Sequence, residues 1–183
     1  MAEVKVIEHA PEGVMGVAPQ VSNEEKTWAA LAHASTLITL ALALPTAGLG
    51  GLLTIFLPLI VYLVYRERSQ YVAYHAMQAF ALQLVATVGV FVALIVGSVA
   101  LALIWVVSLL LVFILVGIIL VPIAALLTAL FALVLVFLPF VLTGFSLAAV
   151  IQTAGGHPFD YPYLGEQVKR WLDRGAGEAA PLV

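Results

Sequence analysis

Residues 69–159 read SQYVAYHAMQAFALQLVATVGVFVALIVGSVALALIWVVSLLLVFILVGIILVPIAALLTALFALVLVFLPFVLTGFSLAAVIQTAGGHPF, a run without one Asp, Glu, Lys or Arg. A charged side chain at the centre of a bilayer costs about 2.5–3.5 kcal/mol even on the gentler insertion scales. Chains that sit in hydrocarbon therefore exclude charge over long runs, and soluble cores rarely need to. The whole chain of 183 residues agrees, with 64% hydrophobic residues, 9% charged residues and a mean hydropathy of +1.17. A soluble domain carries about 25% charged residues, so the fold class is an all-α polytopic membrane bundle. Seven Lys and Arg against ten Asp and Glu give a net charge of −3, which argues against a nucleic-acid partner. The absence of cysteine removes disulfides, thiolate metal sites and thiol nucleophiles.

The charges occupy three segments. Lys5, Lys26, Glu3, Glu8, Glu12, Glu24 and Glu25 lie in residues 1–27, Arg66-Glu67-Arg68 stand alone, and Asp160, Glu166, Lys169, Arg170, Asp173, Arg174 and Glu178 lie near the end. The apolar block Trp28–Tyr65 is broken by Pro45 and by Gly48, Gly50 and Gly51, so it reads as two short spans joined by an uncharged turn. An even number of later crossings puts all seven basic residues on one side, as the positive-inside rule requires. That side is the cytoplasm, with both termini there and the body in the inner (cytoplasmic) membrane. Tyr71–Ala154 is too long for two ordinary spans, and the choice is between two long helices and four short ones. Four spans in all, with the last two long, is the preferred reading, and six is the alternative.

Residues 1–21 read as a mobile polar segment without the pattern of a signal peptide, residues 22–157 as the transmembrane bundle, and residues 158–183 as a cytoplasmic exit segment. Ser22 and Glu25 form a capping box that starts the first helix. Leu164, Val168, Trp171 and Leu172 share one face of a short amphipathic surface helix, expected to end at Gly175.

Three groups of residues stand out. Ala29, Ala32, Thr36, Thr39 and Ala43 form a small-residue stripe that lets a neighbouring helix approach closely. His33 sits beside that stripe, and His75, Gln78 and Gln83 form a polar arc on the helix after Arg68. Together the four make a polar intramembrane cluster. It reads either as hydrogen-bonding glue between helices or as a polar vestibule open to the cytoplasm. A metal site would need more ligands than these, and neither a nucleophile with its base nor a phosphate loop is present, so no enzyme and no cofactor is expected. Gly156, Pro158, Phe159, Tyr161 and Pro162 read as a membrane-exit motif, with glycine and proline ending the helix and aromatics at the interface.

Glu-Lys-Thr-Trp28-Ala-Ala-Leu-Ala-His33, Leu57-Pro58 running to Tyr65, His75-x-x-Gln78-Ala79 with Gln83, and a closing Gly-x-Pro-Phe-Asp-Tyr161-Pro162 occur in that order. In this the chain resembles a family of small bacterial multi-pass membrane proteins similar to the twenty-kilodalton membrane subunit of the chloroplast inner-envelope protein translocon. The resemblance implies four helices with both termini inside. The function expected is a non-enzymatic accessory or channel-like subunit of a membrane assembly, translocon-like by resemblance only. Its partners would be the lipid bilayer and a membrane protein or a second copy. A small-solute pore or transporter, or a pigment- or haem-associated polypeptide using His33 or His75, are the alternatives.

Overall fold

The computed structural model describes residues 21–43, 45, 46 and 48–178; the expected mobile segment, Val21 apart, lies outside them. Every regular element among the described residues is helical. Helix α1 (Asn23–Ala43) is followed by a broken pair, α2 (Leu49–Thr54) and α3 (Leu57–Tyr65). Helix α4 (Gln70–Val92) passes through a π-helical stretch, Ala93–Gly97, into α5 (Ser98–Leu110) and a 3₁₀ turn, Leu111–Ile114. Helix α6 (Gly117–Ala154) returns, and α7 (Leu164–Glu178) closes the chain.

Local chemistry sets these boundaries. Ser22 accepts from the Glu25 amide at 3.2 Å while Glu25 accepts from the Ser22 amide at 2.7 Å, the reciprocal capping box. Pro58 sits in the first turn of α3, where its missing N–H leaves no helical bond unmade. Ser69 caps α4 by accepting from Val72 N at 3.2 Å, and its hydroxyl donates to Glu25 at 2.7 Å. That bond, with those from Ser22, holds the Glu25 carboxyl below its usual value and ties the starts of α1 and α4 together.

Helix α1 packs against α2, α3, α4 and α6. Its small-residue stripe lies on that inner side: Ala29, Ala32, Thr36 and Thr39 are buried, and half-buried Ala43 meets α2, where a Cβ on Gly51 would stand 3.0 Å from the Ala43 Cβ. Small side chains let the backbones close up, which is how helices associate where the surroundings are as apolar as leucine.

Between Tyr71 and Ala154 the chain reverses once, at Leu115–Val116, so the apolar stretch forms two long rods rather than four short ones. The outgoing rod, Gln70–Ile114, has 45 residues and the returning one 38, about 67 and 57 Å at 1.5 Å per residue. Helix α1, with 21 residues, reaches only about 31 Å. The hairpin of α5 and the first half of α6 therefore continues beyond the end of α1 with only its own two helices for support. Its polar groups are spent internally: Trp105 Nε1 donates to Thr128 at 3.0 Å, and Ser108 and Thr128 bond back to Ile104 and Ala124. Pro122 and Pro139 both lie inside α6 without ending it, because neighbouring helices and local adjustments make good the lost backbone bond.

Leu115 makes the reversal at φ +67°, a left-handed conformation that costs an L-residue about 1–2 kcal/mol. Leu115→Gly should relieve most of that cost, against the entropy glycine adds to the unfolded chain. The expected result is a gain of about 1 kcal/mol, checked by thermal denaturation in detergent.

Helix α7 departs from expectation at its end: it runs through Gly175 to Glu178, since a glycine inside a helix costs only about 1 kcal/mol. Its apolar face packs on α4 with Val168 buried, and the Trp171 ring centroid lies 6.2 Å from that of Tyr62 on α3.

Candidate functional site

Where α1, α4 and α6 meet the exit segment, a cluster of polar side chains is closed off from the outside. His33, His75 and Gln78 are each 1% exposed or less. His33 Nδ1 lies 3.0 Å from the Tyr161 hydroxyl, and His33 Nε2 lies 3.3 Å from His75 Nδ1. One consistent chain of donors runs Tyr161 O–H to His33 Nδ1, then His33 Nε2–H to His75 Nδ1. The Tyr161 phenol, with an ordinary pKa of about 10, is a neutral donor at physiological pH. The His33 carbonyl accepts from Ser146 on α6 at 2.6 Å, and the rings of Phe159 and Tyr161 pack edge-on against the His33 ring.

Gln78 holds the exit segment by its backbone. Its Oε1 accepts from Tyr161 N at 3.1 Å, and its Nε2 donates to the Phe159 carbonyl at 3.3 Å and to Asp160 Oδ1 at 3.1 Å. Asp160 also accepts from Tyr74 and from Lys169, the latter at 2.6 Å, with the Lys169 ammonium 5.3 Å from the Tyr74 ring centre. Tyr71 adds bonds to the carbonyls of Thr153 and His157, both at 3.3 Å.

The segment expected to be an exit motif packs in part against the bundle. Pro158, Pro162 and Tyr163 are exposed, whereas Tyr161 between them is 2% exposed and turns back into the bundle. Gly156 stands at φ +78°, and a Cβ there would come within 2.6 Å of the Lys26 side chain, so glycine suits both the turn and the approach. Aromatic residues between prolines resemble an interfacial anchor in sequence. Partners on other helices, His33 for the Tyr161 hydroxyl and Gln78 for its backbone N–H, turn one of them inward.

The four polar residues do not form one cavity. His33, His75 and Gln78 belong to the packed cluster, and they line no open vestibule among the described residues. Gln83 lies deeper, where its amide donates to Ser35 at 2.8 Å and Thr36 at 3.1 Å and accepts from Thr39 at 2.9 Å. No buried side-chain nitrogen or oxygen among the described residues lacks a partner. Reading the sequence missed Tyr74, Asp160, Lys169 and Ser146 as members of the network. Asp160 had a signal, as the one acid inside the exit motif; Ser146 had none.

Burial raises the Asp160 carboxyl, but the hydrogen bonds from Lys169, Tyr74 and Gln78 and the Lys169 charge outweigh it and hold the carboxyl below its usual value. A carboxylate with a lowered folded pKa contributes stability that is fully present above the unfolded value of about 3.9 and lost as pH falls through the folded one. Trypsin cleavage at Lys169 and Arg170 should therefore accelerate below about pH 4, assayed by brief acid exposure and cleavage after neutralisation faster than refolding. Asp160→Asn should give the fast cleavage already at neutral pH.

A bundle of apolar helices whose buried polar groups satisfy one another is the construction of a helical membrane protein. The chain belongs to the magnetosome magnetite crystal formation protein family, MamF/MmsF, whose family model matches residues 24–168. That description concerns crystal formation in a membrane compartment and is not that of an enzyme family; it says nothing of a chloroplast translocon. No curated protein and no solved structure matches the chain. Among the described residues, no three His, Asp or Glu side chains gather where they could hold a metal ion.

Proposed function

We propose that the chain is a non-enzymatic accessory protein of the membrane in which magnetite crystals form, crossing that membrane four times with both ends on the cytosolic face. The family match over residues 24–168 carries this reading. The restriction of Arg66, Arg68, Lys169, Arg170 and Arg174 to one end of the bundle supports the even number of crossings. Deletion of the gene should make the host's magnetite crystals smaller or irregular in electron micrographs, with recovery when the gene is returned. Crystals unchanged in size, shape and number would overturn the reading.

The cluster at His33, His75, Gln78 and Tyr161 serves in this reading as a clamp that fixes the cytosolic end of the bundle. A translocon-like or pore-like role would ask these side chains to touch a passing chain or solute, and their burial favours the clamp. The accessory role extends to a protein partner at the hairpin of α5 and α6. Its tip is apolar and open, with Phe113 89% and Leu115 71% exposed, and two rods of this length overshoot a hydrocarbon core of about 30 Å. A photo-cross-linker in place of Phe113 should yield a protein adduct in native membranes, and adducts with lipid alone would remove the partner.

A further inference from the structure

A crevice of about 400 Å³ opens between α1, α2, α4 and α6, and the clamp makes no use of it. Gln83 stands at its inner end and Leu94 at its outer end, about 17 Å apart at 1.5 Å per residue. Thr36–Ala43 on α1 and Leu135–Leu142 on α6 follow it for about 10 Å each. Its inner end lies about 20 Å along α4 from Gln70, so the crevice occupies the half of the bundle farther from Arg66–Arg68 and α7. That depth is close to one leaflet of a hydrocarbon core of about 30 Å. Leu52, Phe91 and Leu94 line it and are 36%, 48% and 41% exposed, so its side is open where the rods face outward.

The occupant follows from size, chemistry and place. The Gln83 amide is already spent on Ser35, Thr36 and Thr39, so Thr87 is the one further polar side chain on an otherwise apolar wall, and a water needs two to four polar partners. A helix from a second copy is about 10 Å wide, so a single turn of it would take the whole volume. Residues 1–20 and 179–183 join the bundle at its opposite end and would have to cross the bilayer to arrive. A flexible hydrocarbon chain meets none of these objections.

We infer that this crevice binds one acyl chain of a membrane lipid drawn from the leaflet farther from α7, an inference that rests on the four-crossing reading above. The full-length protein, reconstituted into palmitoyl-oleoyl phosphatidylcholine vesicles and extracted in mild detergent, should retain one lipid per chain in native mass spectra. Ala86→Trp, on the crevice wall, should abolish the retained lipid. Val85→Trp, on a neighbouring residue that is 56% exposed, should keep it. If Ala86→Trp does not give a monodisperse helical protein, Thr87→Phe on the same wall takes its place. A wild-type protein without bound lipid, a filled variant that still holds it, or a retained mass equal to a second chain would overturn the inference. Pro45→Cys in the far turn, protected from an impermeant maleimide in sealed isolated magnetosomes and labelled once they are permeabilised, reads the crossings separately from the lipid.

Discussion

Gln78→Leu is expected to release the exit segment and α7 from the bundle and to lower stability by about 3 kcal/mol or more. The glutamine amide is bonded at both ends to backbone, to Tyr161 N and the Phe159 carbonyl. Leucine has similar bulk but leaves both groups without that partner, and a buried group stripped of its hydrogen bond costs about 1–3 kcal/mol. Tyr161 would lose the restraint that aims its hydroxyl at His33, so the loss should spread to the His33–His75 contact. Gln83→Leu makes the comparison. Its partners are hydroxyls, and two of them, Ser35 and Thr39, have helix carbonyls to bond instead, at 2.6 and 3.0 Å. The loss there should be nearer 1 kcal/mol. Thermal denaturation in detergent measures both, and trypsin cleavage at Lys169 and Arg170 reports on α7; equal effects from the two substitutions would refute the clamp.

Gly117→Leu should prevent the rods from meeting at the hairpin tip. A Cβ at residue 117 would fall 2.3 Å from the Ser108 carbonyl oxygen and from Val112 N. Both obstacles are backbone, so no side chain can swing aside, and the rods must part. Forcing atoms into a filled space costs about 1–3 kcal/mol and sometimes more, and here the upper end is expected. The Trp105–Thr128 bond lies two turns and more from the tip and should break with it. The emission of Trp105 should then shift, read in a background with Trp28 and Trp171 replaced by phenylalanine. Gly89→Ala and Gly144→Ala supply the control, since a Cβ at either meets nothing within 4 Å. Both should be neutral or stabilising by up to about 1 kcal/mol.

The His-x-x-Gln-Ala segment shows how far residue pattern carries. Spacing on one helix places His75 and Gln78 on neighbouring faces, and the penalty for a lone amide in hydrocarbon says that both must find partners. It does not say which partners. His75 meets His33, 42 positions away, and Gln78 meets Tyr161, 83 positions away. Small residues such as Ala29, Ala32, Ala76 and Ala79 mark where helices can approach, but they do not name the helix that approaches or its register, so neither pairing can be read from them. Gln83 lies on the same helix, yet it joins a separate group because α1 offers hydroxyls at Ser35, Thr36 and Thr39 at that depth.

The sequence by itself determined that apolar helices make up the body of this protein and that its charged residues gather in three short segments. Both follow from the transfer energy of ionised groups, which acts residue by residue and needs no partner. It also determined where α1 begins, through a cap that acts within one turn. Tertiary structure alone decided that the exit motif folds inward and that the polar residues divide into a clamp and a deeper hydroxyl–amide group, and it chose the single reversal at Leu115–Val116 from the two readings the sequence had left open. These depend on contacts between segments distant in the chain, whose energies exist only once the backbones have come together.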